Sequence, residues 1–114
     1  MSFGAEAHQF LPTYPKLRPS IRENVYETHM ELFNSRKDIM YYQLEVFDED
    51  WNKVPFATYR RLIKVPYLDK INVTVYIRKQ DRSRATYICT QSKILQGIEQ
   101  ASVVSSRICS KFKV

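Results

Sequence analysis

Residues 71–77 read INVTVYI and form the most regular stretch of the sequence. Ile, Val, Val and Ile occupy every second position, and Asn, Thr and Tyr fill the positions between them. Because successive side chains of a β-strand point to opposite faces of the sheet, this period of two predicts a half-buried strand. Such a strand offers one apolar face to a core and one polar face to solvent.

The same period extends outward from this strand. Residues 26–32 (YETHMEL) and 40–46 (MYYQLEV) alternate in the same way, and polar turns follow each of them. With the shorter apolar pieces we count about seven strands, spaced about ten residues apart, a pattern typical of an all-β, immunoglobulin-like antiparallel sandwich. The remaining predicted strands cover residues 54–56, 62–65, 85–92 and 102–114, and one predicted helical turn within Gln91–Val103 is interrupted by Gly97.

Residues 1–24 predict an extended arm in front of the sandwich, which we place at residues 25–114. Three of the five prolines fall in the arm, and proline holds the chain in extended geometry. The arm also carries apolar side chains, so we expect it to lie against its own domain or against a neighbouring subunit. Tryptophan is enriched at interfaces as well as buried in cores, which adds one residue to the candidates for partner contact. These candidates are Phe3, Phe10, Leu11, Tyr14 and Trp51.

The chain is basic, with 18 Lys and Arg against 12 Asp and Glu and a net charge of +6. This balance favours an acidic partner, either a protein face or a nucleic acid. Nucleic acid is the less favoured of the two, because the charges are scattered and no aromatic-basic motif of the usual nucleic-acid modules occurs. Four cations around one predicted loop could bind an anion or an acidic partner, or could serve only to solvate the loop. They are Arg78, Lys79, Arg82 and Arg84.

No residue pattern predicts a catalytic or metal site, and we expect no cofactor and no enzymatic activity. The sequence has only two glycines, which excludes the Gly-rich phosphate loops of most nucleotide-binding enzymes. His29 lies between Glu27 and Glu31 on the polar face of its strand, as is typical of a solvated histidine. The two cysteines and two distant histidines lack metal-ligand spacing, and the acidic turn 48–50 lacks the ligand series of a calcium loop. No apolar run of about eighteen residues predicts a membrane span.

Residues 28–92 resemble the N-terminal immunoglobulin-like domain of periplasmic pilus chaperones. The stretches that carry the resemblance are HMELFNSRKDIMYYQLEVFDEDWNKVPF (29–56), RLIKVPYLDKINVTVYI (61–77) and RATYICTQSK (84–93). In that family two alternating strands flank an Asn-containing turn, and an acidic turn, a proline-bearing segment and a strongly alternating strand follow. The resemblance implies a sandwich fold and a role in assembling other proteins. Those chaperones have two domains, and their paired basic residues that hold a subunit's C-terminal carboxylate have no matching positions here.

Cys89 and Cys109 are the only cysteines, and they permit one disulfide. YIC (87–89) is similar to the Tyr-x-Cys of immunoglobulin strands, but the second cysteine lies downstream here instead of upstream. A bridge would therefore join the last two strands as neighbours and would not pin two sheets together. We expect an extracellular, periplasmic or virion setting over the cytoplasm, where two reduced thiols would be the alternative. Residues 1–7 lack the regions of a complete signal peptide, although AEA (5–7) resembles the end of a cleavage site.

These features together predict a structural or assembly protein that works by contacting other proteins. Its partners would be copies of itself or subunits of a larger assembly, such as a virion or another surface structure. The contacts would use the sandwich edges and the N-terminal arm. A secreted accessory protein similar to the pilus chaperones is the first alternative, and a small basic nucleic-acid-binding protein is the second.

Overall fold

The computed structural model describes residues 8–93 and 106–113. Those residues form nine β-strands in two antiparallel sheets, and their one helical element is a 3-10 turn at Lys79–Asp81. The all-β, immunoglobulin-like sandwich predicted from the sequence is confirmed. The strands are β1 (Gln9–Leu11), β2 (Arg18–Pro19), β3 (Val25–Phe33), β4 (Tyr41–Phe47), β5 (Ala57–Thr58), β6 (Leu62–Lys64), β7 (Lys70–Arg78), β8 (Tyr87–Lys93) and β9 (Arg107–Lys111).

The two sheets, A and B, are built around the strands whose alternation is most regular. In sheet A the strand order is β1-β3-β7-β5, and the short β2 also pairs with β3. In sheet B the order is β6-β4-β8-β9. β3 and β7 pair over all nine of their residues, and β4 and β8 pair over all seven of theirs. These long central pairs set the register of the whole sandwich.

The hydrophobic core lies between the two sheets, because every second side chain of the long strands points inward. On β3 the side chains of Thr28, Met30 and Leu32 are buried, while His29 between them faces solvent. Removing apolar surface from water stabilises the fold by about 25 cal/mol per Å². The apolar side chains that are 0% exposed among the described residues are Leu32, Tyr42, Leu44, Val46, Val75, Ile77 and Ile88.

The described part of the N-terminal segment lies against its own domain. β1 and β2 pair with β3 in sheet A, and Phe10 and Leu17 belong to the core. Between β1 and β2 the chain crosses to sheet B, where the Thr13 carbonyl accepts a hydrogen bond from the amide of Lys111. The Pro15 carbonyl likewise accepts from the amide of residue 113. Residues 8–24, which the sequence places in an arm, therefore contribute to both sheets and cover one side of the sandwich.

Three local differences from the predicted elements are visible. No strand forms at 54–56: the Val54 amide donates to the Val46 carbonyl of β4, Pro55 has no N–H to donate, and pairing with β7 begins only at Ala57. The predicted loop after β7 contains the 3-10 turn, whose Asp81 is buried. The predicted helical turn Gln91–Val103 begins inside β8, and the rest of it lies outside the described residues.

Candidate protein-binding face

Two aromatic rings stack at one end of sheet B. Trp51, in the turn after β4, lies parallel to Tyr87 at the start of β8, with 4.2 Å between ring centroids and 4° between ring planes. Phe47, the last residue of β4, lies 5.6 Å from the Trp51 ring in a tilted arrangement. Trp51 is 47% exposed, so it is not a core residue. About half of its surface is therefore available to a partner.

The turn at residues 48–52 holds Trp51 in this position. One carboxylate oxygen of Asp48 accepts hydrogen bonds from the amides of Asp50 and Asn52, both at 2.9 Å, and its carbonyl accepts from the Trp51 amide at 3.0 Å. The Asn52 amide is the main reason that the pKa of the Asp48 carboxyl is held below its usual value. Trp51 itself has a φ of +65°, in the left-handed region that costs a non-glycine residue about 1–2 kcal/mol. The hydrogen bonds of Asp48 offset that cost.

An arginine completes this cluster from the neighbouring strand. The Arg107 guanidinium on β9 lies 5.3 Å from the centroid of the Phe47 ring and 6.0 Å from that of Trp51. At these distances a guanidinium is attracted to the electron-rich face of an aromatic ring. We call Phe47, Trp51, Tyr87 and Arg107 the aromatic patch.

The outer face of sheet B forms a shallow concavity of about 250 Å³ beside the aromatic patch. Cys89 lies in its lining and is joined to Cys109 by a disulfide. The two cysteines stand directly opposite each other on β8 and β9, with 4.0 Å between their Cα atoms. The lining carries both signs of charge, and Lys53 Nζ lies 3.8 Å from a carboxylate oxygen of Glu45. The disulfide ties the strand that carries Arg107 to the strand that carries Tyr87.

The predicted cationic loop contains its own counter-ion. Asp81 is only 4% exposed and its carboxylate lies 2.7 Å from a guanidinium nitrogen of Arg78 and 2.8 Å from one of Arg84. The Arg84 hydrogen bond is the largest cause of the lowered pKa of Asp81. Arg82 lies over the ring of Tyr26, at 4.6 Å, and Lys79 is exposed. Two of the four candidate cations therefore share one counter-ion within the loop.

The other candidate contact residues are separated by the fold. Phe10 is 3% exposed and lies in the core, because β1 turns its side chain inward, so it is not available to a partner. Leu11 and Tyr14 are 44% and 61% exposed on the segment that covers one side of the sandwich. Phe3 lies outside the described residues.

The two histidines lie in different surroundings. His29 is exposed, and its nitrogens lie 2.9 Å from Glu27 and from Thr74. His8 is buried, with Nε2 at 2.7 Å from the Thr90 hydroxyl and Nδ1 at 3.3 Å from the Ser106 hydroxyl. Both ring nitrogens of His8 thus face hydroxyl groups, whereas one ring nitrogen of His29 faces a carboxylate.

Across the described residues, 8–93 and 106–113, no cluster of three or more His, Cys, Asp or Glu side chains could hold a metal ion. No helix in the same part of the chain is long and apolar enough to cross a membrane.

Two solved structures share this fold at low sequence identity. The E. coli chaperone DraB has a TM-score of 0.67 and 15% identity, over 93% of this chain and 53% of its own, so this chain spans about half the length of DraB. The ASH / PapD-like domain of human CEP192 has a TM-score of 0.58 and 10% identity, over 95% of this chain and 83% of its own. No protein-family model and no curated protein matches the sequence. The likeness confirms, at the level of the fold, the resemblance to the sandwich domain of pilus chaperones.

Proposed function

We propose that this chain is a non-catalytic assembly protein that binds other proteins through its aromatic patch. The observation that carries the proposal is the parallel stack of Trp51 on Tyr87, which is left half-exposed at the surface. Trp, Tyr and Arg are the residues that dominate the binding energy of protein interfaces, and all three meet here. The partners are copies of this chain or subunits of a larger assembly.

The side chains of the aromatic patch are already ordered before a partner binds, which supports this role. The Trp51 backbone is fixed by its turn, and its indole ring is stacked on Tyr87, with the Arg107 guanidinium 6.0 Å from the ring centroid. A side chain that is already ordered loses little conformational entropy when a partner docks on it, so more of the contact energy remains as affinity. Leu11 and Tyr14, exposed on the N-terminal segment, are proposed as secondary contacts.

A library of displayed peptides, selected against the full chain, tests the proposal. Because Trp51→Ala removes the outer ring of the stack, the selected peptides should lose at least about tenfold in affinity for that variant. Tyr67→Ala is the matched control, since Tyr67 is 44% exposed and its ring contacts Lys37 in another loop. Affinity for the control should stay within about twofold of wild type. Recovery of no binders, or of binders that tolerate Trp51→Ala, would contradict the proposal.

A secreted accessory role similar to that of the chaperone DraB is the second candidate, and the shared fold favours it. The Cys89–Cys109 disulfide supports the extracellular or periplasmic setting that such a role requires. Mass spectrometry of the protein from its native cells, alkylated with and without prior reduction, tests the setting. A bridged pair supports secretion, and a reduced pair counts against it. The chaperone role predicts that the oxidised chain, in stoichiometric amount, suppresses aggregation of a refolding fibre subunit, and no suppression would reject it.

A further inference from the structure

The two lateral sides of the sandwich are closed to different extents. On one side the N-terminal segment bridges β3 of sheet A and the end of β9 in sheet B. On the other side sheet A ends in β5, which has two residues, and sheet B ends in β6, which has three. β5 pairs only with Val75 and Tyr76 of β7. The first half of β7 therefore has no paired strand on this side among the described residues.

Hydrogen bonds at both ends of β7 show which of its backbone groups face this open side. The Lys79 amide donates to Asn24, and the Asp69 carbonyl accepts from Asn34, so the odd-numbered residues of β7 point towards β3. The Thr74 carbonyl points the other way and accepts from the Thr58 hydroxyl at 2.8 Å. Since backbone direction alternates along an antiparallel strand, the N–H and C=O groups of Asn72 and the carbonyl of Lys70 also face away from β3, whereas the Lys70 amide donates to the Asp69 carboxylate at 2.9 Å. Both residues are exposed. We call this stretch, Lys70 to Asn72 with β6 across from it, the open edge.

A groove of about 470 Å³ runs along the open edge between β6 and β7. Its apolar lining is formed by Ile63 on β6 and by Ile71 and Val73 on β7. Ile71 is 36% exposed, and Tyr59 at the end of the groove is 91% exposed. An added strand could pair with the edge and place every second side chain over this apolar lining.

The charge of the groove selects the chemistry of such a strand. Arg60 and Lys64 line it, and no carboxylate does among the described residues. The Arg60 guanidinium lies 5.6 Å from the centroid of the Tyr59 ring, so its charge is held at the groove mouth. The chain as a whole carries +6. A partner with acidic side chains is therefore attracted to this side.

We propose that the open edge accepts an added β-strand from a partner protein, an extended segment in which apolar and acidic residues alternate. The Asn72 N–H and C=O and the Lys70 C=O supply the main-chain hydrogen bonds, Ile63, Ile71 and Val73 receive the apolar side chains, and Arg60 and Lys64 select the acidic ones. This surface shares no residue with the aromatic patch. It is a second binding site with its own ligand class.

The test uses the full chain and a capped synthetic peptide of about eight residues in which Val and Glu alternate. Amide resonances are followed during titration. Binding should shift the amide of Asn72 and slow its hydrogen exchange by at least about tenfold. Arg60→Glu and Lys64→Glu should each weaken binding by about tenfold, because each reverses a charge at the groove. Arg82→Glu, a reversal at an exposed cation elsewhere, is the matched control and should change affinity by less than about twofold.

Three further outcomes would overturn the proposal. The first is no binding of the peptide, and the second is equal binding of a version with Lys in place of Glu. The third is protection of the Asn72 amide in a dimer of the chain without peptide, which would make a second copy the occupant. Trp51→Ala should leave peptide binding at the open edge unchanged, so failure of the aromatic patch and failure of the open edge are separate results.

Discussion

His8 shows what burial does to a single titratable group. Its side chain is 2% exposed, and its ring lies 4.5 Å from that of Tyr42, measured between centroids. Burial lowers its pKa from 6.5 to about 4, because a desolvated imidazolium is unfavourable. At neutral pH the imidazole is therefore uncharged. It forms hydrogen bonds with the Thr90 and Ser106 hydroxyls.

We predict that the free energy of unfolding falls as the pH drops from about 7 to about 5. The folded pKa of His8 lies below its unfolded value, so the unfolded chain binds the proton first, and stability present above pH 6.5 is lost as the pH falls towards 4. The expected loss between pH 7 and pH 5 is about 2 kcal/mol. Urea unfolding at several pH values measures it, and His8→Gln should give a flatter profile. Parallel profiles for the two proteins would contradict the prediction.

Sequence reasoning identified single residues by type but not by surroundings. Trp51 was a candidate for partner contact because tryptophan is enriched at interfaces, and the structure leaves it half-exposed. The buried polar residues His8, Asn34 and Asp81 were not found, because each depends on partners far away in the chain or on a loop conformation. Asn34, for example, donates from its amide to the carbonyls of Ile39 and residue 65. Only Asp81 has a signal in the sequence that could have indicated its burial: an arginine lies three residues before it and another three residues after it.

At the scale of elements, the Cys89–Cys109 bridge fastens β9 to the sheet. The two strands pair over five residues, and the disulfide lies at the centre of that pairing. β9 is an outer strand of sheet B and carries Arg107 of the aromatic patch. Its stability therefore affects the proposed binding surface directly.

We predict that reducing the bridge lowers the free energy of unfolding by about 3 kcal/mol, the value expected for a closed loop of this length. The two cysteines are separated by 20 residues in sequence. Guanidinium unfolding with and without reductant measures the loss. Cys89→Ala combined with Cys109→Ala is the control, because its stability should match the reduced protein and should not respond to reductant. Equal stability of oxidised and reduced wild type would show that the bridge adds nothing.

Element prediction succeeded where the period was long enough to be recognised. β3, β4 and β7 have seven to nine residues each, and burial follows the alternation of the sequence over most of their length. The exception is the start of β7, where Ile71 and both of its neighbours are exposed. β1, β2 and β5 have two or three residues, which is too short for a period to be visible, and they exist because a long neighbour offers them a ladder. The aromatic patch required the register between β4, β8 and β9, which no single stretch of sequence contains.

At the scale of the whole molecule, the net charge is +6, but several of the basic side chains pair with acidic side chains. Asp81 pairs with two arginines of the loop after β7. Lys70 lies 3.5 Å from a carboxylate oxygen of Glu31, and Lys53 lies 3.8 Å from one of Glu45. The described basic residues are thus interspersed with acids and do not form the continuous stripe that tracks a nucleic-acid backbone.

We predict no measurable binding to single- or double-stranded oligonucleotides at about 150 mM salt. Fluorescence anisotropy of labelled DNA and RNA measures it, with a basic DNA-binding domain as the positive control. Weak binding confined to low salt is expected of any basic protein. Affinity that persists at physiological salt and falls steeply as more is added would reverse the prediction and favour a nucleic-acid partner.

The disulfide between β8 and β9 also limits how far the chain can be stretched. The two cysteines are 20 residues apart in sequence, and the segment between them is closed into a loop by the disulfide. Under mechanical tension this segment cannot be extended. Since one extended residue spans roughly 3.6 Å, the oxidised chain pulled apart in an optical trap ends roughly 70 Å shorter than the reduced chain. In an assembly under load, the bond would act as a stop that keeps this part of the chain compact after the sheets have separated.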